Sequence, residues 1–242
     1  MFLDYLHEAK PAGAVAPVMS GFRQSLLGSM SDDEADETVG CVLRRLGSDV
    51  DAMAVLFDNV FAADSYYFNT EPNALVAEAA RGMAPGRALD VATGQGRNAI
   101  FLAGLGWDVT GLDVSEVGLD RLRVAANVRG VDITTVLADV GSYDLGEAVW
   151  DLVILCYAPV GLTRGDLMDR VLASLRPGGR LVIESFSAPE EDEAVRPVDL
   201  VPDLVAAALE GMDLVVFEAV TAVPDWDTVE RGVIRVIASK PG

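Results

Sequence analysis

Ala88–Ser115, ALDVATGQGRNAIFLAGLGWDVTGLDVS, reads as strand, glycine loop, helix and strand within one short unit. Arg87 to Ala92 is an apolar run carrying one acid, Asp90, and it breaks into Thr93, Gly94, Gln95 and Gly96 before a helical pattern begins at Arg97. Glycine at 94 and 96 lets the backbone take positive φ and lets a ligand lie against peptide groups where the next helix starts. That helix, Arg97 to Leu105, aligns Ala99, Ile100, Leu102 and Ala103 on one stripe and stops at Gly104 and Gly106. Trp107 to Leu112 follows as a second strand with Asp113 at its tip. An acid there, one βαβ unit beyond the glycines, is placed to accept both hydroxyls of a ribose.

The third position of the glycine pattern is Ala99, which leaves a nicotinamide dinucleotide fold open. Two acids point to another nucleotide. Asp90 stands at the tip of the first strand, where a carboxylate would repel a pyrophosphate and attract an ammonium. Asp139, in TTVLADV, ends a third strand and can accept a hydrogen bond from an adenine amino group. Three acids around one crevice suit a cationic nucleoside without phosphate, and S-adenosylmethionine, with its sulfonium and amino group, is such a ligand.

From Phe57 to Pro241 the chain resembles class I S-adenosylmethionine-dependent methyltransferases, in their tellurite-resistance and thiopurine-type small-molecule branch. The ordered segments that carry the resemblance are YYFNTEPN, ALDVATGQGRN, VTGLDVS, LADV, WDLVILCY, LRPGGRLVIESF and GVIRVIASKP. The resemblance implies a Rossmann-like α/β fold with a seven-stranded, mostly parallel sheet, a C-terminal antiparallel hairpin and an N-terminal helical extension. It implies that Asp90 and the loop of Ala92, Thr93, Gly94 and Gly96, with Asn98, hold the methionine end. Asp113 and Val114 would hold the ribose, Asp139 and Val140 the adenine, and Cys156 would lie beside the amino group or sulfonium. Relatives that methylate adenine or glutamine amides carry Asn/Asp-Pro-Pro-aromatic after the fourth strand. This chain has Cys156-Tyr157-Ala158-Pro159, so that chemistry is not expected.

Composition bounds the rest. With 242 residues, 51% hydrophobic, the chain can bury one sizeable α/β core and an appendage, divided here as an arm or cap over 1–60 and a cofactor-binding domain over 61–242. Thirty-eight acids against 18 bases give a net charge of −20, which repels a nucleic-acid backbone. Cys41 and Cys156 form no metal or disulfide framework, and no metal is expected. The early acids of MFLDYLHEAKPAG and the lack of a long uncharged stretch predict no leader, no membrane span and a cytoplasmic location. The expected partner is a small-molecule acceptor, and the chain is expected as monomer or homodimer.

Along the chain, Met1 to Ser29, broken by Pro11, Gly13, Pro17 and Gly21, is compatible with an arm, a helix pair or a lid. Ser31 with Glu34 reads as a capping box opening a helix through Leu46, and a second helix covers Asp49 to Val60. ADSYYFNTEPN, 63–73, reads as a loop; Tyr67 and Phe68 are candidate substrate contacts and Tyr66 a candidate catalytic group. Helices are expected over Ala74–Met83, Val117–Gly130 and Arg164–Leu175. Further strands are expected over Ile133–Ala138, Val149–Tyr157, Arg180–Phe186, Leu214–Val220 and Gly232–Ser239, with Arg176–Gly179 as a turn. His7 lies in the arm with nothing to orient an imidazole, so Tyr157 and Glu184, at strand tips, join Tyr66 as the catalytic candidates. SAPEEDEAVRPVDL and WDTVERGVIRV replace the glycine-rich loop and the basic or histidine position that the family carries near the acceptor. A neutral or cationic acceptor with an O or N nucleophile fits so acidic a chain better than a thiol or metalloid anion. A protein that binds the cofactor without methyl transfer, or a nicotinamide-dependent oxidoreductase, would share the same glycine loop.

Overall fold

Five parallel strands, β1 (Arg87–Val91), β2 (Asp108–Asp113), β3 (Thr134–Leu137), β4 (Trp150–Cys156) and β5 (Leu175–Phe186), are extended by an antiparallel pair, β6 (Asp213–Ala222) and β7 (Arg231–Ser239). Their order is β3-β2-β1-β4-β5-β7-β6. The computed structural model describes residues 1–11, 15–46, 49–62, 69–163, 165–188 and 199–242. Because the chain leaves β1 toward β2 and β3 and returns to place β4 on the other side, the strand order reverses between β1 and β4. A crevice opens there, outside the carboxyl ends of those strands.

Period-two alternation divides the strand residues between two faces. Leu89, Val91, Val153, Leu155, Leu181, Ile183, Ile234 and Val236 pack with α8 (Leu167–Ser174) and α9 (Pro202–Ala208). Ala88, Leu152, Ile154, Val182 and Ile237 face α5 (Ala74–Ala80), α6 (Arg97–Gly104) and α7 (Glu116–Arg129), through Val76, Leu102, Leu119 and Leu122. Apolar residues on both faces explain why β4 and β5 read as nearly unbroken hydrophobic runs.

Most elements match the sequence-based expectation to within a few residues; two differ in kind. Leu175 already pairs with Trp150, so Arg176–Gly179 is an excursion inside β5, with a register shift before Leu152 meets Arg180. Gly178 there has φ +77°, and a Cβ on Gly179 would sit 2.9 Å from the Arg176 carbonyl oxygen. The same Arg-Pro-Gly-Gly chemistry that signals a turn serves as a bulge, because strand pairing resumes on both sides. The helix expected over Arg164–Leu175 is α8, Leu167–Ser174, with Asp166 at its N-cap; Arg164 lies outside the described residues. Finally, α9 was not anticipated: seven residues, opened by Pro202, are too few to establish a helical period.

The N-terminal region forms α1 (Phe2–Ala9), α2 (Val15–Leu26), α3 (Asp32–Leu46) and α4 (Val50–Phe61). The capping box is present: the Ser31 N–H donates to Glu34 Oε2 at 2.9 Å, and the Glu34 N–H donates to Ser31 Oγ at 3.4 Å. Leu6, Val18, Phe22, Leu26, Leu56 and Val60 make a third apolar cluster, onto which Val114 and Val117 of the sheet-bearing part also pack. The last turn of α4 carries Phe61 one residue past the expected division at 60 and seats it on the glycine loop. Among the described residues no helix is long and apolar enough to cross a membrane.

Candidate functional site

A cavity of about 960 Å³ occupies the crevice at the β1 and β4 carboxyl ends. Asp90, Ala92, Thr93, Gly94, Gly96, Asn98, Asp113, Val114, Asp139, Val140 and Cys156, the candidate cofactor contacts, all line it, as does Tyr157. Residues from β1, α6, β2, the loop after β3 and β4 meet there because parallel strands deliver their tips to one edge of the sheet.

The glycine loop is built by backbone needs. Gly94 and Gly96 have φ of +53° and +83°; a Cβ on Gly94 would come 2.9 Å from Phe61 Cζ, and one on Gly96 would overlap the Leu122 side chain. Ala92 also has positive φ, +54°, which costs a residue with a Cβ about 1–2 kcal/mol. Thr93 Oγ1 donates to Asp90 Oδ2 at 2.8 Å. Asp113 ties the loop to β2: its Oδ2 accepts from the Gly94 N–H at 2.7 Å and its Oδ1 from the Ser115 N–H at 2.8 Å. Each oxygen keeps a lone pair for a further donor.

Burial sets the electrostatics. Asp90 is 2% exposed, and desolvation pushes its pKa up to about 7, with Thr93 and Arg97 pulling it down and Asp113 adding to the rise. Asp113, 6% exposed, is pushed up to about 6 by burial, against the lowering pull of the Ser115, Gly94 and Val114 N–H groups, while Asp58 adds to the rise. Both carboxyls therefore gain from a cationic or hydroxyl-rich partner. Burial raises the Cys156 thiol as well, with the Asp90 and Glu184 charges adding, so it stays a neutral thiol.

The two described catalytic candidates have other duties. Glu184 is 4% exposed and is not among the residues lining the cavity. Its carboxylate accepts from Tyr157 Oη at 2.8 Å, Asn73 Nδ2 at 2.8 Å and Arg235 Nε at 3.0 Å. Glu184, expected as a proton acceptor at the ligand side, is a buried carboxylate occupied by three donors. Tyr157 does reach the cavity, but its phenol donates to Glu184, and burial beside that carboxylate drives its pKa far up, which favours the neutral phenol. Its ring stands edge-on to Phe186 and Trp226, each 5.3 Å away between centroids. Tyr66, Tyr67 and Phe68 lie outside the described residues.

Asn98 lines the cavity, yet its Oδ1 accepts from the Asn73 N–H at 2.9 Å and so fixes the start of α5. Other participants were missed. Arg97 makes a two-pronged pair with Asp225, at 2.8 and 3.1 Å, and its Nη1 also donates to Asn69 Oδ1 at 2.9 Å, closing the loop between β6 and β7 over the rim. Arg170 on α8 donates to the carbonyls of Gly141 at 2.7 Å and Tyr143 at 2.5 Å, which holds the turn that carries Asp139 and Val140. Val50, Met53, Phe57 and Phe61 of α4 form one wall. Arg97 directly follows the glycines and was within reach of local reading; Asp225, 128 residues on, was not.

The cavity fits a nucleoside carrying an amino acid. Glycine keeps positions 94 and 96 free of Cβ atoms, and among the described residues neither Asp90 nor Asp113 forms an ion pair and both polar atoms of the buried Gln95 amide have no hydrogen-bond partner. Comparison with known proteins agrees. A family profile described as a methyltransferase domain matches residues 88–179. A probable S-adenosyl-L-methionine-dependent methyltransferase, TehB of Haemophilus influenzae, is 33% identical over 81 residues, 34% of this chain and 28% of that protein. The crystal structure of TehB from the same organism superposes with a TM-score of 0.62 at 16% identity, covering 77% of this chain and 66% of the other. A structure described as converting a disulfide bond into a thioacetal group during echinomycin biosynthesis gives 0.59 at 24% identity, covering 78% and 92%. The [4+2]-cyclase SpnF gives 0.57 at 16% identity, covering 85% and 94%. The chain spans between a quarter and half the length of the curated relatives it matches. The matched domain, the ordered motifs around it and this strand order make residues 88–179 similar to the methyltransferase domain, and the fold similar to that of S-adenosylmethionine-dependent methyltransferases such as TehB.

Proposed function

We propose that the chain transfers the methyl group of S-adenosylmethionine to an O or N atom of a neutral or cationic small molecule, such as a specialised metabolite. The observation that carries this reading is the pair of buried carboxylates, Asp90 and Asp113, flanking a cavity whose loop has glycine at 94 and 96, where packing against Phe61 and Leu122 leaves no room for a Cβ. A pyrophosphate would meet Asp90 with charge repulsion, whereas an ammonium and a ribose suit Asp90 and Asp113 in turn. The bound cofactor supplies a methyl on a sulfonium, which makes the displacement downhill. The chain's own residues orient and exclude water: Asp90 and the Ala92–Gly96 backbone hold the methionine end, Asp113 and Val114 the ribose, Asp139 and Val140 the adenine. Alignment of this kind contributes roughly 7 to 11 kcal/mol in favourable cases.

With Tyr157 and Glu184 bonded to each other, this reading assigns the described residues no general base. The acceptor's proton leaves to solvent or to a group among residues 63–68. Arg97 and Arg170 are occupied by Asp225 and by loop carbonyls, which leaves them poorly placed for an anionic acceptor. The likeness to SpnF, described as a [4+2]-cyclase, supports a second reading in which the bound cofactor serves a reaction other than methylation.

Calorimetry with S-adenosylmethionine, S-adenosylhomocysteine and NADH on the wild type and Asp113→Ala tests the cofactor. The expected result is binding of the first two, weakened at least about tenfold by the substitution, the worth of a charge-assisted hydrogen bond. Preference for NADH, or no binding of either sulfur nucleoside, would overturn the reading. Mass spectrometry of an acceptor panel then separates gain of one methyl from rearrangement without mass change.

A further inference from the structure

Asp58, on α4, lies outside every motif of the glycine unit, yet its side chain reaches the start of α7. Its Oδ1 accepts from Ser115 Oγ at 2.6 Å and from the Val117 N–H at 3.2 Å. The Ser115 N–H donates to Asp113 Oδ1 at 2.8 Å, and Asp113 Oδ2 accepts from the Gly94 N–H at 2.7 Å. An unbroken hydrogen-bonded path thus runs from the N-terminal helices through the ribose-facing acid to the glycine loop. One helical turn further along α4, the Phe61 ring lies so close to Gly94 and Gly118 that a Cβ on either would stand 2.9 Å from it. The same helix contributes Val50, Met53 and Phe57 to the cavity wall.

Resting on the reading that this cavity takes S-adenosylmethionine or its product, we propose that Asp58 is a positioning residue for cofactor binding, and that seating of α4 and filling of the cavity are one coupled event. Asp58 is not among the residues lining the cavity; it fixes Ser115, and through it the carboxylate of Asp113 and the glycine loop. By linkage, a ligand that engages Asp113 holds α4 in place to the same degree that α4 favours the ligand. The plainer role, an acid favouring the positive end of α7, would stabilise the fold and leave affinity unchanged.

The test is calorimetric binding of S-adenosylhomocysteine to the full chain and to Asp58→Ala, Asp58→Asn, Ser115→Ala and the Asp58→Ala/Ser115→Ala pair, with amide hydrogen exchange over α4. Asp58→Ala is expected to weaken binding about tenfold, the worth of one charge-assisted hydrogen bond. Asp58→Asn, whose amide oxygen can still accept from Ser115 and Val117, should recover most of that loss. Ser115→Ala should lose as much as Asp58→Ala, and the pair no more than either alone. S-adenosylhomocysteine should slow exchange across Val50–Phe61 in the wild type and not in Asp58→Ala. Wild-type affinity in Asp58→Ala and Ser115→Ala, or losses that add in the pair, would overturn the proposal while leaving the cofactor reading intact. If Asp58→Ala does not fold, Ser115→Ala decides: unchanged affinity overturns the proposal. A wild type that does not bind S-adenosylhomocysteine overturns the cofactor reading and this coupling together.

Discussion

Asp90 is held by the fold in a state its chemistry disfavours. Its pKa is raised from 3.8 to about 7, so between those values the folded chain binds a proton at this site that the unfolded chain has released. Stability from this group therefore falls as pH rises from about 4 to 7 and is flat above, the reverse of a salt-bridged aspartate. Other acids, such as Asp36 beside Arg23, have lowered pKa values and slope the other way, so the comparison must be with Asp90→Asn. The variant should match the wild type near pH 4.5 and melt several degrees higher near pH 8; in a chain of this size about 1 kcal/mol is worth roughly 2–4 °C. It should also lose affinity for S-adenosylmethionine, because the ionised carboxylate is what an ammonium needs. Melting curves at both pH values check the sign; an equal gap at each would mean that Asp90 is ionised throughout. Wild-type affinity for the cofactor should rise with pH up to about 7, with proton release on binding measurable in buffers of different ionisation enthalpy.

Among the elements, the glycine loop and α4 constrain each other. Gly94→Ala meets two costs: positive φ, about 1–2 kcal/mol, and the Phe61 ring, whose displacement in a packed site costs about 1–3 kcal/mol. Phe61→Leu removes the ring edge that the new methyl would strike, so the pair should cost less than the sum of the singles. Urea unfolding of the four proteins measures this, and additivity would show that α4 shifts freely on the loop. The elements themselves were legible where a period had room to repeat. The glycine unit, both faces of β4 and the capping box of α3 follow from local chemistry. The bulge in β5 and the seven-residue α9 do not, because the first depends on Trp150 across the sheet and the second is too short for a pattern.

At the scale of the whole molecule, the site was legible through residues adjacent to strand ends and opaque wherever a contact joins distant segments. Asp90, Asp113 and Asp139 could be found because a parallel sheet brings strand tips to one edge. The burial of Glu184 among donors was not legible because two of its partners, Asn73 and Arg235, lie far off in sequence. Charge is the one global property that needs no contacts. At −20 the chain repels itself, and the surface pairs it does form, such as Arg123 with Glu116, are exposed and worth little. Screening should therefore stabilise the free protein: raising NaCl from low to about 1 M shortens the Debye length to about 3 Å and should raise the melting temperature. The same screening acts oppositely on the ligand. S-adenosylmethionine carries a sulfonium charge that S-adenosylhomocysteine lacks, so the acidic field attracts the first more. Titrating both at rising NaCl should weaken S-adenosylmethionine relative to its product, and equal salt slopes would mean that the field at the cavity is set by Arg97 and its neighbours rather than by the net charge.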